Sequence, residues 1–167
     1  MAAPVWATND VPSATDFNEW LQNINWAYKT ANESVTSSTT LQTDDQLNVA
    51  VQANSIYFVT VVIKYDGDPA GDLKVLFRCP TSATFSAIAV ALTSTAASQS
   101  DNQNAPMVEN TSTLWGCLGG TCVGMVTGTL VTSSTAGNFG LEWAQSTSNA
   151  TATRVLAGSA MNLDRRS

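Results

Sequence analysis

Histidine is absent from this chain of 167 residues, and the gap excludes a good deal of chemistry. Without imidazole the chain lacks the commonest general base, the usual serine and cysteine triads and the commonest zinc ligand. Cysteine is scarce as well. Three thiols cannot complete a four-thiolate zinc site, and their odd count argues against a disulfide framework. Charged residues make up 12% of the chain, about half the usual share. Only seven residues are Lys or Arg, and Arg165-Arg166 is the sole adjacent pair. Nucleic acids and anionic membrane surfaces are bound through clustered positive charge. A formal net charge of -6 and a pI of about 4.3 therefore leave neither as an expected partner. No apolar run approaches the roughly 20 residues of a membrane-spanning helix. The opening Met-Ala-Ala-Pro-Val-Trp has neither the basic nor the apolar block of a signal peptide, so the protein is expected to be made in the cytosol and to stay there or leave by lysis.

What is present is Ser, Thr, Asn, Gln and Ala beside a hydrophobic fraction of 44%. That is enough for one buried core, under a surface of neutral hydroxyls and amides such as β proteins use when they pack against their own copies. Residues 1–12 read as extended, with Pro4 and Pro12 discouraging helix and Trp6 standing alone as a large apolar group. Ser13 then makes a good helix N-cap, with Asp16 as a weaker form of the capping-box acid. Phe17, Trp20, Leu21, Ile24, Ala27, Tyr28 and Ala31 follow at spacings of three and four and predict an amphipathic helix of about five turns. Asn18, Gln22, Asn25 and Lys29 fall mostly on its other side, and Trp26 departs from the stripe. Such a helix is marginal alone in water. Its aromatic face must be covered by this chain's own sheets, by other copies around a symmetry axis, or by a different protein into which it docks.

From about residue 34 the chain turns Ser/Thr-rich. Residues 34–40 read as a polar linker, and strands are predicted near residues 47–52, 55–65, 72–79, 84–92, 112–118, 122–133, 138–145 and 153–164. Ile56, Phe58, Val61 and Ile63 do not alternate strictly, which predicts a strand covered on both faces or bulged. Asp66-Gly67-Asp68-Pro69-Ala70-Gly71 and Ala136-Gly137-Asn138 are turns by composition, and residues 96–106 read as an exposed loop. About eight strands with regular turns predict an antiparallel β-sandwich, jelly-roll-like, preceded by one N-terminal amphipathic helix. The expected division is an arm and helix over 1–33, for docking or oligomerisation, and a β-sandwich domain over 34–167.

Chemistry is left to carboxylates. Asp66, Asp68 and Asp72 lie in one turn with oxygen ligands for calcium, but their spacing is not the helix-loop-helix pattern, and solvated turn residues are the favoured reading. A glycosidase needs two carboxyls roughly 5–10 Å apart across a cleft. Glu142, between Leu141 and Trp143, is the one candidate, with no sequence-visible partner. Cys117 and Cys122 flank Leu-Gly-Gly-Thr and are either bridged across a hairpin or buried thiols, with Cys79 a small core residue. No catalytic residue, cofactor or metal is expected.

Two stretches carry a resemblance. Residues 5–21, Val-Trp-Ala-Thr-Asn-Asp-Val-Pro-Ser-Ala-Thr-Asp-Phe-Asn-Glu-Trp-Leu, resemble a short N-terminal pattern of phage tail proteins. Residues 33–42, 53–57, 71–74, 140–153 and 157–159 resemble β-rich domains of minor tail, fibre or decoration proteins from tailed phages of actinobacteria. The likeness covers most of residues 33–163 except 96–118, and Cys117 and Cys122 are not part of its pattern. It implies a component of the virion exterior, a homotrimer that docks on capsid or tail proteins, with no catalytic residues to carry over. Trp6, Phe17, Trp20, Leu21, Ile24 and Tyr28 are then the expected interface anchors, since large aromatics dominate interface energetics. The competing reading is a phage adhesin domain that binds host receptor or carbohydrate through Trp115, Trp143 or the 96–106 loop. A carboxylate glycoside hydrolase built on Glu142 is the remaining one.

Overall fold

The computed structural model describes residues 24–166 together with Val11, Ser13 and Ala14. Twelve strands follow one another: β1 (Ile24–Tyr28), β2 (Glu33–Val35), β3 (Gln42–Val51), β4 (Ile56–Asp66), β5 (Leu73–Arg78), β6 (Thr84–Leu92), β7 (Asn102–Val108), β8 (Thr113–Trp115), β9 (Cys122–Val131), β10 (Gly137–Gln145), β11 (Thr153–Val155) and β12 (Ala160–Arg165). They form two sheets in which every pairing is antiparallel. The larger has eight strands, ordered β1-β12-β4-β9-β6-β7, with β11 pairing both β2 and β4. The smaller has four, ordered β3-β10-β5-β8. The mainly-β, antiparallel expectation holds.

One core lies between the sheets because inward positions of both are apolar. Tyr57, Val59, Val61, Ile63 and Tyr65 of β4 are wholly buried, while Ile56, Phe58, Thr60, Val62 and Lys64 face the other way. From Ile56 to Tyr65 this strand therefore alternates in burial; both of its faces are rich in apolar residues, which hid the period of two in the sequence. Across the core, Phe77 of β5 stacks on Phe139 of β10 at 5.2 Å, and Phe85 of β6 meets both edge-on. Tyr65 packs beside Trp115 and donates its hydroxyl to the Gly116 carbonyl at 3.0 Å.

Several expectations change. Most of the predicted helix lies outside the described residues, but its last part does not: Ile24–Tyr28 is strand β1, paired along its length with β12. The segment reads with either period, and the hydrogen bonds available along the β12 edge decide for the strand. The supposed linker overlaps β2, and β3 begins at Gln42. Part of the supposed 96–106 loop is β7, an edge strand whose polar composition and Pro106 suit a position with one unpaired side. The span read as one strand over 153–164 is two, β11 and β12.

Candidate functional site

The outward face of the larger sheet is rich in apolar residues and carries few charges. Alternation along five strands brings Trp26 and Tyr28 of β1, Ile56, Phe58 and Val62 of β4, Val123, Met125 and Val131 of β9, Ile88 and Val90 of β6, and Val108 of β7 to one surface. Registers align them in rows: Tyr28, Ala160, Val62, Met125, Val90 and Asn104 make one, and Trp26, Asn162, Thr60, Thr127, Ile88 and Pro106 the next. Among the described residues, the charged side chains on this face are Lys64, the Asp66–Arg154 pair at its β11 edge, joined at 2.8 and 2.6 Å, and Asp164, which pairs with Arg166 at 2.8 Å. The smaller sheet differs. Its outer side carries Asn48, Asn138 and Lys74, and Arg78 there grips Glu142 with two hydrogen bonds of 2.8 and 2.6 Å. One layer is thus dressed for water and the other is not.

A second feature lies where the layers meet at one end. Lys29 follows β1, shares its inward parity with Asn25 and Ala27, and is wholly buried. Its backbone is clamped by Ser159 and Gly158 through two 2.8 Å hydrogen bonds. Opposite it, β3 breaks its ladder: Thr43 pairs with Glu142 and Asn48 with Gly140, so residues 44–47 stand against Leu141 alone. This wide irregularity turns Asp44 into the interior, as bulges often re-aim a side chain. Asp44 Oδ1 accepts the backbone N–H groups of Gln46 (3.0 Å) and Leu47 (2.8 Å). Lys29 Nζ lies 3.0 Å from Asp44 Oδ1, 2.9 Å from its Oδ2, 2.9 Å from Glu33 Oε2 and 2.8 Å from Asp45 Oδ1. Oδ2 has no aligned hydrogen bond of its own. Burial by itself would lower the Lys29 pKa, but hydrogen bonds to Asp45, Glu33 and Asp44 outweigh it and hold the pKa above the ordinary value. Burial raises the Glu33 carboxyl, against the pull of Lys29, whereas the hydrogen bond from Lys29 lowers Asp45. The three carboxylates converge within 4.8 Å, and the cation they enclose is the lysine ammonium.

The anchors expected from sequence fall unevenly. Trp6, Phe17, Trp20 and Leu21 lie outside the described residues; Ile24 opens β1 and Tyr28 closes it, half-exposed on the apolar face. Trp26, left off the helical stripe, is the most exposed tryptophan there, at 71%. Sequence reasoning placed Lys29 on a polar helix face and missed its burial; the available signal was its even spacing from Asn25 and Ala27. Trp115 and Trp143 are both wholly buried in the core, which removes them as sugar-stacking platforms. The calcium reading disperses too. Asp66 pairs with Arg154 (2.8 and 2.6 Å), Asp68 caps Ala70 (2.8 Å), and Asp72 accepts the Cys117 N–H (2.8 Å). The shallow depression beside Glu142 is lined by Thr43, Asn48, Arg78, Asn138 and Gly140, with no second carboxylate among them. Among the described residues no helix is long and apolar enough to cross a membrane. No family model matches the chain, and no curated protein matches it either.

Proposed function

We propose that the chain is a structural component of the outside of a bacteriophage particle, a tail, fibre or capsid-decoration protein that acts by self-assembly and docking and not by turnover. The observation that carries this reading is the bare, neutral face of the larger sheet. Six strands about 4.8 Å apart, each roughly 15 Å long, give the whole face roughly 400 Å² in plan, within the range of the largest patch that a typical monomer exposes, which is often a functional one. A second copy of the chain is the occupant that fits, in a homotrimer. A strongly charged partner would bury unpaired groups on a face with so few charges, whereas a neutral surface of the next copy around a three-fold axis would not. Residues 1–33, with Trp6, Phe17, Trp20, Leu21, Ile24 and Tyr28, supply the further contact that a standard interface of roughly 800 Å² per partner requires, and residues before β1 take the amphipathic helix.

The topology we favour is a jelly roll. The order β1-β12-β4-β9 in one layer and β3-β10-β5-β8 in the other supports it, since successive strands cross between layers as in two interleaved Greek keys. The β6–β7 hairpin then extends the first layer. A second reading, recognition of a host glycan, keeps one supporting observation: Trp26 and Tyr28 are side by side and exposed on β1.

Light scattering tests the assembly. The wild-type chain is expected as a trimer, and Phe58→Asp combined with Val90→Asp as a monomer with an unchanged circular dichroism spectrum. Labelled wild-type protein should then co-sediment with the phage particles whose genome encodes it. A monomeric wild-type protein that leaves particles undecorated would overturn the reading, and glycan binding lost on Trp26→Ala would replace it with the second.

A further inference from the structure

We propose that Lys29 and Asp44 are joined by an intramolecular isopeptide bond, formed by the protein itself, that stitches the larger sheet to the smaller. The inference stands on the buried cluster and is independent of the proposed function. An amine and a carboxyl condense with loss of one water, and three things favour that here. The partners are in contact, with Nζ 3.0 and 2.9 Å from the two Asp44 oxygens, and therefore close to Cγ. Both side chains are wholly buried, at 0% exposure, so bulk water that would reverse the reaction is kept out. Pre-positioned groups reach effective molarities on the order of 10⁵–10⁸ M, far above the concentration of water.

The surrounding groups match the steps. One proton passes from the Lys29 ammonium to its hydrogen-bonded partner Glu33 Oε2, 2.9 Å away, and from there to Asp44 Oδ2 within the same carboxylate cluster, leaving a neutral amine against a neutral carboxylic acid. The nitrogen lone pair adds to Cγ, and the negative charge that develops on Oδ1 is met by the N–H groups of Gln46 and Leu47, already 3.0 and 2.8 Å away. Fixed backbone donors aimed at a developing oxyanion are the usual large electrostatic contribution to acyl transfer. Glu33 Oε2, 2.9 Å from Nζ, takes a second proton from the nitrogen and returns it to Oδ2. Oδ2, the oxygen without an aligned hydrogen bond, departs with both protons as water, and the amide nitrogen keeps the third. No oxidant, cofactor or external base enters. The same carboxylates hold Lys29 protonated most of the time, so the step is slow, and a bond made once per molecule tolerates that.

The product is an amide between a residue that follows β1 and a residue in the irregular part of β3. It closes the chain from 29 to 44 and ties the two layers where β1 is otherwise an edge strand whose one ladder partner among the described residues is β12.

Intact-mass spectrometry of the denatured full-length protein is the test. The wild type is expected one water lighter than its sequence, and a protease digest should yield one branched peptide joining Lys29 to Asp44, with no tryptic cleavage after Lys29. Lys29→Arg should show its full sequence mass. Asp44→Asn should lose ammonia in place of water and reach the same product mass as the wild type. Glu33→Gln, which keeps the nucleophile and electrophile but lacks the proton carrier, should remain largely uncondensed. A wild-type protein at its full sequence mass, or one short of a water but without the branched peptide, overturns the proposal; the wild-type measurement stands even where a variant fails to fold.

Discussion

Trp115 lies so close over Gly124 that a Cβ at position 124 would sit 2.2 Å from the indole Cζ3. Gly124 is an inward position of β9, directly opposite Ile63 on β4, and Trp115 closes β8 on the facing sheet. The glycine is there to admit the largest side chain in the core, not for any unusual backbone angle. Both sides of the contact are rigid, one a strand in the middle of a sheet and the other an indole that is wholly buried. Gly124→Ala is therefore expected to destabilise the fold by about 3 kcal/mol, at the upper end of overpacking costs. Adding Trp115→Leu should recover part of that loss, because the two positions are coupled. Urea titration of the two single variants and the double variant gives the coupling; strict additivity would contradict the contact.

The two best-formed carboxylate pairs near the sheet surfaces should differ sharply in worth from the Lys29 cluster. Arg78 and Arg154 hold Glu142 and Asp66 in bidentate geometry, but about half of each arginine side chain is exposed. Solvent screens such pairs, and Arg78→Ala is expected to cost at most about 1 kcal/mol. In the uncondensed Glu33→Gln background, adding Lys29→Met instead leaves Asp44 buried without its cation and should cost roughly 3–5 kcal/mol, the range for breaking one partner of a buried pair. The comparison is made by denaturant unfolding of both variants at neutral pH; equal losses would mean that the cluster is more solvated than its burial implies.

The β class was legible in the Ser/Thr-rich, β-branched texture, because alternation survives without knowledge of partners. Strands β4, β6, β9 and β10 fall close to where they are expected for that reason. Where the reading failed, tertiary pairing had settled what local pattern left open. Ile24, Ala27 and Tyr28 satisfy a helical stripe, yet Trp26 and Tyr28 equally share one strand face, and only the β12 edge chooses between them. The apolar outward face was visible as missing alternation in β4, read as a strand covered on both faces or bulged, because nothing in one sequence says what lies against an apolar face. The Lys29 cluster was out of reach in detail. It depends on a bulge that moves Asp44 inward, and bulges have no sequence signature when no glycine marks them.

Two aspartates should respond to acid in opposite directions. Asp101 accepts the backbone N–H groups of Ala97 and Ser98, each at 2.8 Å, and these hold its carboxyl below the ordinary value of 3.8. Its contribution is present above that value and lost as pH falls through the lower folded one. Asp72 is pushed upward by burial, in spite of the hydrogen bond it accepts from the Cys117 backbone. Its ionised form costs stability, so its contribution is full below 3.8 and lost as pH rises through the higher folded value. Asp72→Asn, which keeps the acceptor oxygen and suits the left-handed φ of 47°, should be neutral to stabilising at pH 7. Asp101→Asn should loosen the 97–101 turn there. Carboxyl chemical-shift titration and amide exchange at Ala97 and Ser98 check both directions.

The three cysteines should be silent in the folded protein. All are free and buried. Burial lifts the Cys79 thiol to about 12, and burial together with the nearby Asp72 charge pushes Cys117 up as well. Thiolate, not thiol, is the reactive species, and at neutral pH neither group supplies it. Cys122 is almost without accessible surface, its sulfur directed toward the Gly120 carbonyl. Iodoacetamide at pH 8 should therefore leave the native mass unchanged, while the same treatment in urea without reductant should add three carbamidomethyl groups. Addition of a single group after unfolding would mean that Cys117 and Cys122 are bridged across their hairpin. Rapid labelling of the native protein would mean that the core around β9 opens far more readily than its close packing against Trp115 allows.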